Sequence, residues 1–246
     1  MKALPWQKPD PAKYYFPLPN DIFRRELTAC EFSIMAYLFS RAARKLDAPN
    51  LMTVRMNLGV SRNTMKKYVR RLQERDWIIV QHHRFSFPMF LSVRDTLHLT
   101  GALKLRVGHF FPLPNCIFGF GLSVGELAVY SYLLYREDRK TFECWPSYRT
   151  IGAVLRMSKN TVRKYVHRLE DKGYIVTEPT SVIRKNGTKW NGNLKFNIRP
   201  IWEIVEQRNA EELARAEQER RLYQARKLAE HTPGFTVEPA TQAGRR

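Results

Sequence analysis

Two nine-residue runs carry the side chains best suited to chemistry. Ser158-Lys159-Asn160-Thr161-Val162-Arg163-Lys164-Tyr165-Val166 restates Ser61-Arg62-Asn63-Thr64-Met65-Lys66-Lys67-Tyr68-Val69 at an offset of 97 residues. On a helix stepping 100° per residue, Val162, Val166 and Leu169 share one face, with Tyr165 at its edge. Asn160, Lys164 and His167 fall opposite, flanked by Lys159 and Arg163. An α-helix fits the major groove, where Arg pairs with guanine O6 and N7 and Asn with adenine N6 and N7. The expected base contacts are Lys159, Asn160 and Arg163, with Lys164 and His167 near phosphates and Thr161 counted with them among the DNA-binding residues. The same logic selects Arg62, Asn63 and Lys66 in the first run, with Lys67 and Arg70 nearby. A solvated helix face is charged anyway. Position argues for recognition: each basic helix is capped and follows a short helix and a tight turn.

Other chemistries lack their residues. No Gly-x4-Gly-Lys-Ser/Thr loop exists to cradle phosphates, and no Cys-x2-Cys pair or spaced His pair suits a metal. His82-His83 is adjacent, without the intervening residue of a His-x-His site. No His-x-x-Arg occurs, and carboxylates do not cluster as a two-metal nuclease requires. The expectation is a protein that is not an enzyme and uses no cofactor, metal or small-molecule ligand.

The elements that must position the basic helices are themselves duplicated. Phe16-Pro17-Leu18-Pro19-Asn20-Asp21-Ile22-Phe23 returns as Phe111-Pro112-Leu113-Pro114-Asn115-Cys116-Ile117-Phe118, an offset of 95. Each extended opening leads to a capping box, Thr28-Ala29-Cys30-Glu31 or Ser123-Val124-Gly125-Glu126. The first helix then shows a stripe of Phe32, Met35, Ala36 and Phe39, matched by Leu127, Tyr130 and Leu134. In the second copy Trp145-Pro146-Ser147 opens a short helix through Leu155, and Arg156-Met157 breaks it. Ser158 caps the basic helix, which closes at Gly173. Tyr174 to Thr177 and Leu194 to Ile198 read as strands around an Asn186-Gly187 turn. The hairpin tip is basic, and Arg184, Lys185 and Lys189 suit phosphates or the minor groove.

The first copy follows this plan less cleanly. Leu51 to Leu58 is its short helix, Gly59-Val60 its turn, and Ser61 to about Arg75 its basic helix. It lacks the Pro-Ser start, and Pro88 predicts a short or irregular hairpin. Phe85, Phe87 and Phe90 are expected to pack against a neighbouring domain or subunit. After Pro200, Ile201 to about Glu230 reads as one long charged helix. Its apolar residues are sparse, so it is mostly solvated, with a homodimer through it as the alternative.

Composition agrees with this plan. The 246 residues are 43% hydrophobic and hold a net charge of +19. Residues 1–100 hold 17 Lys/Arg against 8 Asp/Glu, and residues 101–200 hold 17 against 7. The excess sits in the two repeats, as surfaces facing a polyanion require. No window approaches the roughly 18 apolar residues of a membrane span. The first 13 residues contain Pro5, Pro9 and Pro11 and no secretory core, and Cys30, Cys116 and Cys144 are scattered. A cytoplasmic location with reduced thiols is expected.

The runs from Trp145 to Gly152, Met157 to Lys164 and Leu169 to Ile175 resemble bacterial winged helix-turn-helix DNA-binding domains. The nearest type is the helix-turn-helix protein of Firmicutes plasmids, phages and integrative elements. The Phe-Pro-Leu-Pro-Asn openings resemble the N-terminal domain of plasmid replication initiators. The resemblance covers roughly residues 110–200 and implies DNA binding, in regulators and initiators alike.

The expected fold is mainly α with small β wings. Tandem duplicated winged helix-turn-helix domains at 14–94 and 108–200 are joined by a linker at 95–107. A flexible arm at 1–13 precedes them, and a charged helix at 201–230 and a flexible tail at 231–246 follow. The expected partner is double-stranded DNA, with the second domain as reader and the first as anchor. The expected role is transcriptional regulation, with replication initiation or a protein-interaction scaffold as alternatives.

Overall fold

The computed structural model describes residues 15–87, 90–100, 109–183 and 189–230. The chain divides into two compact units, one through Arg199 and one from Pro200. The first is mostly helical with small antiparallel sheets. Its elements are β1 (Tyr15–Pro19), a 3-10 helix (Asn20–Arg24), α1 (Ala29–Ala43), α2 (Leu51–Leu58), α3 (Arg62–Glu74), β2 (Ile78–Phe87) and β3 (Phe90–Leu99). The order then recurs as β4 (Phe110–Pro114), a 3-10 helix (Asn115–Gly119), α4 (Val124–Arg136), β5 (Glu143–Cys144), α5 (Tyr148–Leu155) and α6 (Lys159–Asp171). Strands β6 (Ile175–Glu178), β7 (Ser181–Ile183), β8 (Lys189–Asn191) and β9 (Lys195–Ile198) complete the unit.

Local chemistry sets the helix starts. Both capping boxes form: the Thr28 and Ser123 amides each donate to the Glu three residues on, at 2.8 Å. Ser61, Ser147 and Ser158 each accept from the third amide of their helix. The first copy has its own start where Pro-Ser is lacking. Pro49-Asn50 aligns with Pro146-Ser147, and Asn50 accepts from the Thr53 amide at 2.7 Å. Asparagine caps as well as serine does, so the start is present in another residue type.

Turn geometry repeats even where residue types do not. Positive φ occurs at Glu26 and Gly121, Lys45 and Phe142, Gly59 and Arg156, and Asp76 and Gly173. Each pair is 95 or 97 residues apart, the offsets of the sequence repeat. In three pairs one copy has the glycine that this region favours and the other tolerates a side chain.

The two copies interlock around an approximate dyad. Strand β1 pairs antiparallel with β4, with Pro17 opposite Pro112, Phe16 opposite Leu113 and Leu18 opposite Phe111. Exchanging the copies maps this register onto itself. Ring contacts obey the same exchange. Phe16 stacks on Phe118 at 6.2 Å and Phe111 on Phe23 at 5.5 Å. Tyr37 meets Phe118 edge-on at 5.0 Å, and Tyr132 meets Phe23 edge-on at 5.3 Å. Helix α1 packs on α4, and each 3-10 helix packs on the short second helix of the other copy.

That interlock revises the reading of the first helix. Ile34, Tyr37 and Leu38 are buried although they lie off the expected stripe, and Phe39, on the stripe, is only half-buried. The helix has two faces to bury: one on its own copy and one on the other.

The first hairpin also departs from expectation. Strands β2 and β3 pair without interruption from Ile78 opposite Leu99 to Phe87 opposite Phe90, ten residues each. It is long, not short or irregular. A proline disrupts a strand only where a ladder amide is needed, and the described pairs stop short of Pro88. Strand β3 also claims residues 95–99 of the expected linker. Residues 1–14, 101–108 and 231–246 lie outside the described residues, so the expected arm and tail and most of the linker do too.

The second unit holds α7 (Ile201–Glu230), at the bounds expected of the long helix. Residues from Glu206 to Lys227 are exposed apart from Arg208. No described helix is long and apolar enough to cross a membrane.

Candidate nucleic-acid interface

Helix α6 buries one face and offers the other. Val162, Val166 and Leu169 have no exposure and form the core side. Lys159, Asn160, Arg163, Lys164 and His167 are exposed. Thr161 is half-buried and bonded to Ser158 Oγ at 2.8 Å, so it belongs to the cap as much as to the surface. In α3, Met65, Val69 and Leu72 are buried, and Arg62, Asn63, Lys66, Lys67 and Arg70 are exposed. Arg70 is engaged along its own helix by Glu74 at 3.1 Å. Lys67 lies 5.6 Å from the centre of the Tyr68 ring. Of the residues expected at a basic hairpin tip, Lys189 lies in β8 opposite Ile183, while Arg184 and Lys185 lie outside the described residues. So do Asn186 and Gly187.

A tight turn aims α6. Gly152 lies where α5 passes the Met157 carbonyl, and a Cβ there would sit 2.5 Å from that oxygen. Met157 N–H donates to Gly152 O at 2.9 Å, and Arg156 takes the left-handed conformation at φ 53. The first copy has Arg55 in place of Gly152. Its matching bond, Val60 N–H to Arg55 O, is longer at 3.3 Å. A side chain on the passing helix loosens the turn.

Arg163 is not free to wander. Its Nε donates to His167 Nε2 at 3.4 Å, and His167 Nδ1 lies 3.1 Å from Glu170 Oε2. With Nε2 accepting, the ring proton sits on Nδ1 and is donated to the carboxylate. Glu170 Oε1 accepts from the Thr177 amide at 3.2 Å and from the Thr177 hydroxyl. A chain of polar contacts thus runs from the expected base reader to Thr177 of β6. His167, expected near phosphates, here orients Arg163. Residue spacing could have revealed the i, i+4 and i, i+3 contacts within the helix, but not Thr177.

Each capping carboxylate does a second job. Glu126 is buried and takes Lys172, which caps the end of α6, at 2.6 Å and Arg168 of α6 at 3.7 Å. Glu31, with no side-chain exposure, meets Arg71 of α3 at 3.2 Å, though this contact is not directed as a hydrogen bond. Arg71 and Arg168 are 97 residues apart, so the latch is duplicated. Burial raises the Glu126 carboxyl, but the Lys172 ammonium and the Ser123 bonds outweigh it, holding the group below the ordinary range. The capping motif marked these carboxylates in sequence. Nothing local announced their partners, 40 to 46 residues away.

The strands that follow α6 are tied together. Lys195 of β9 joins Glu143 of β5 at 3.2 Å and Glu178 of β6 at 2.8 Å. Strand β6 packs against α6, and the order β5-β9-β6 joins it to β9. The arrangement offers cations and amide donors on a rigid helix, next to strands that are tied together. Among the described residues no group of His, Cys, Asp or Glu could hold a metal ion.

A family model described as a helix-turn-helix domain matches residues 121–175. This stretch of the chain is similar to helix-turn-helix domains. It runs from Gly121 through α4, β5, α5 and α6 to the first residue of β6, and so contains the capped basic helix and its turn. The match supports DNA binding. No curated protein matches the chain.

Proposed function

We propose that this chain is a sequence-specific binder of double-stranded DNA, acting as a transcriptional regulator on a bacterial chromosome or mobile element. The carrying observation is the outward face of α6, with Lys159, Asn160, Arg163 and Lys164 exposed beyond a tight turn. In this reading the two copies are tandem winged helix domains. The β8 strand, which carries Lys189, lies along the phosphates, and binding rather than catalysis is the activity. The charge supports it: the excess of cations lies in the copies, while residues 201–246 hold 8 Lys/Arg against 8 Asp/Glu. Replication initiation is the second reading, favoured by the Phe-Pro-Leu-Pro-Asn openings and their resemblance to initiator N-terminal domains.

Selection of bound sequences from random DNA, followed by titration of Arg163→Ala, tests the proposal. The variant should lose about 1–3 kcal/mol on the selected site and relax one base position. Uniform weakening across sequences would make Arg163 a phosphate contact. Recovery of no preferred sequence would refute specific recognition. Placement of the site separates the two roles: overlap with a promoter supports regulation, and iterated copies at an origin support initiation.

A further inference from the structure

The dyad between the copies has a consequence for the DNA. We infer that one chain reads an imperfect inverted repeat, each half-site contacted by one basic helix, with no second subunit required. The inference rests on the DNA-binding reading above and adds the symmetry of the site.

The symmetry is carried by pairings that map onto themselves when the copies are exchanged. The β1–β4 register is centred on Pro17 opposite Pro112. The ring pairs Phe16–Phe118 and Phe111–Phe23 are exchange mates, as are Tyr37–Phe118 and Tyr132–Phe23. Helix α1 against α4 is the self-mated contact. This is the layout of an isologous dimer interface, in which the same patch serves both partners, built here within one chain. A simple head-to-tail tandem would place unlike surfaces together and relate the basic helices by translation. Here α3 and α6 are related by a rotation. Proteins with two-fold related recognition helices bind sites with matching two-fold symmetry.

The residues also say how the half-sites differ. Asn63 and Asn160 are equivalent and both exposed, so both halves should carry the same base opposite asparagine. Lys66 stands where Arg163 stands in the second copy. Arg is a planar fork that fixes on guanine through two bonds, whereas Lys is a point charge. The half-site under α6 should therefore be the stricter one at that position. His167, which braces Arg163, is replaced by Arg70, which is paired to Glu74 instead. The asymmetry extends to the support of the reader.

The test combines sequence selection with stoichiometry on the full chain. Sites are selected from random duplex DNA for the parent, Asn63→Ala and Asn160→Ala, and native mass spectrometry counts chains per duplex. The expected motif has two half-sites in opposite orientation, bound by one chain. Each variant should relax one half only, on opposite sides of the centre, and weaken binding by roughly 5- to 150-fold. Both substitutions are at exposed positions, and unfolding can be checked by circular dichroism. Half-sites in the same orientation would overturn the inference. So would a single half-site indifferent to Asn63, or an inverted repeat occupied by two chains. If no duplex is bound at all, the DNA-binding reading itself fails and takes the inference with it.

Discussion

Replacing Gly152 with alanine sets two effects of opposite sign against each other. Gly152 lies inside α5, where Gly→Ala on propensity alone stabilises a helix by about 1 kcal/mol. The new methyl, however, would sit 2.5 Å from the Met157 carbonyl oxygen, about 0.9 Å inside the 3.4 Å at which ordinary contact begins. The obstacle is backbone, so no side-chain rotation relieves it. Overpacking of this kind costs about 1–3 kcal/mol, and an immovable neighbour belongs toward the upper end. The net expectation is a loss of about 1–2 kcal/mol. The first copy shows how the strain is relieved: with Arg55 at this position, the turn bond lengthens from 2.9 to 3.3 Å. Urea unfolding should show a lower midpoint at an unchanged slope. Discrimination between cognate and unrelated DNA should fall, because the displaced element is the turn that aims α6. A midpoint at or above the parent's would refute the reasoning, since the turn would then have slack.

Glu126 and Glu137 predict opposite pH flanks. The Glu126 carboxyl is held low in the fold, so its stabilisation is present above the ordinary value of 4.5 and lost as pH falls through the lowered one; Glu126→Gln should abolish that acid-side loss in thermal melts. Burial, opposed by Arg139, pushes the Glu137 carboxyl up to about 7, so stability declines as pH rises from the ordinary value through about 7. Glu137→Gln should flatten the profile there, and an unchanged profile would mean that Glu137 is hydrated in solution. If each copy neutralises about four phosphates, log affinity against log salt should have a slope near −7, on the rule of roughly −0.9 per phosphate. A slope near −3 to −4 would leave one copy idle.

Much of the candidate interface was legible because its elements obey local rules. Ser158, the 3.6-residue spacing of Val162, Val166 and Leu169, and Gly173 define α6 within a 16-residue window. The basic face follows by elimination. The capping boxes were equally legible, since both partners lie within one turn. The length of the first hairpin is not legible, because Pro88 in the sequence predicts a short or irregular one whereas the ladder runs unbroken to Phe87 opposite Phe90. The Asn50 cap is hidden in sequence because the second copy has serine there.

By itself, the sequence determined the duplication, the helix starts and the outward set of cations, since each depends on residues close in the chain. Only the tertiary structure decided what the duplication means. The partner of Phe16 is Phe118, the partner of Phe23 is Phe111, and the partners of Glu126 are Arg168 and Lys172. Such contacts join residues 42 to 102 positions apart and leave no periodic trace. Burial of both faces of α1 and α4 made two similar segments into one symmetric body, because each first helix has more apolar surface than its own copy can cover.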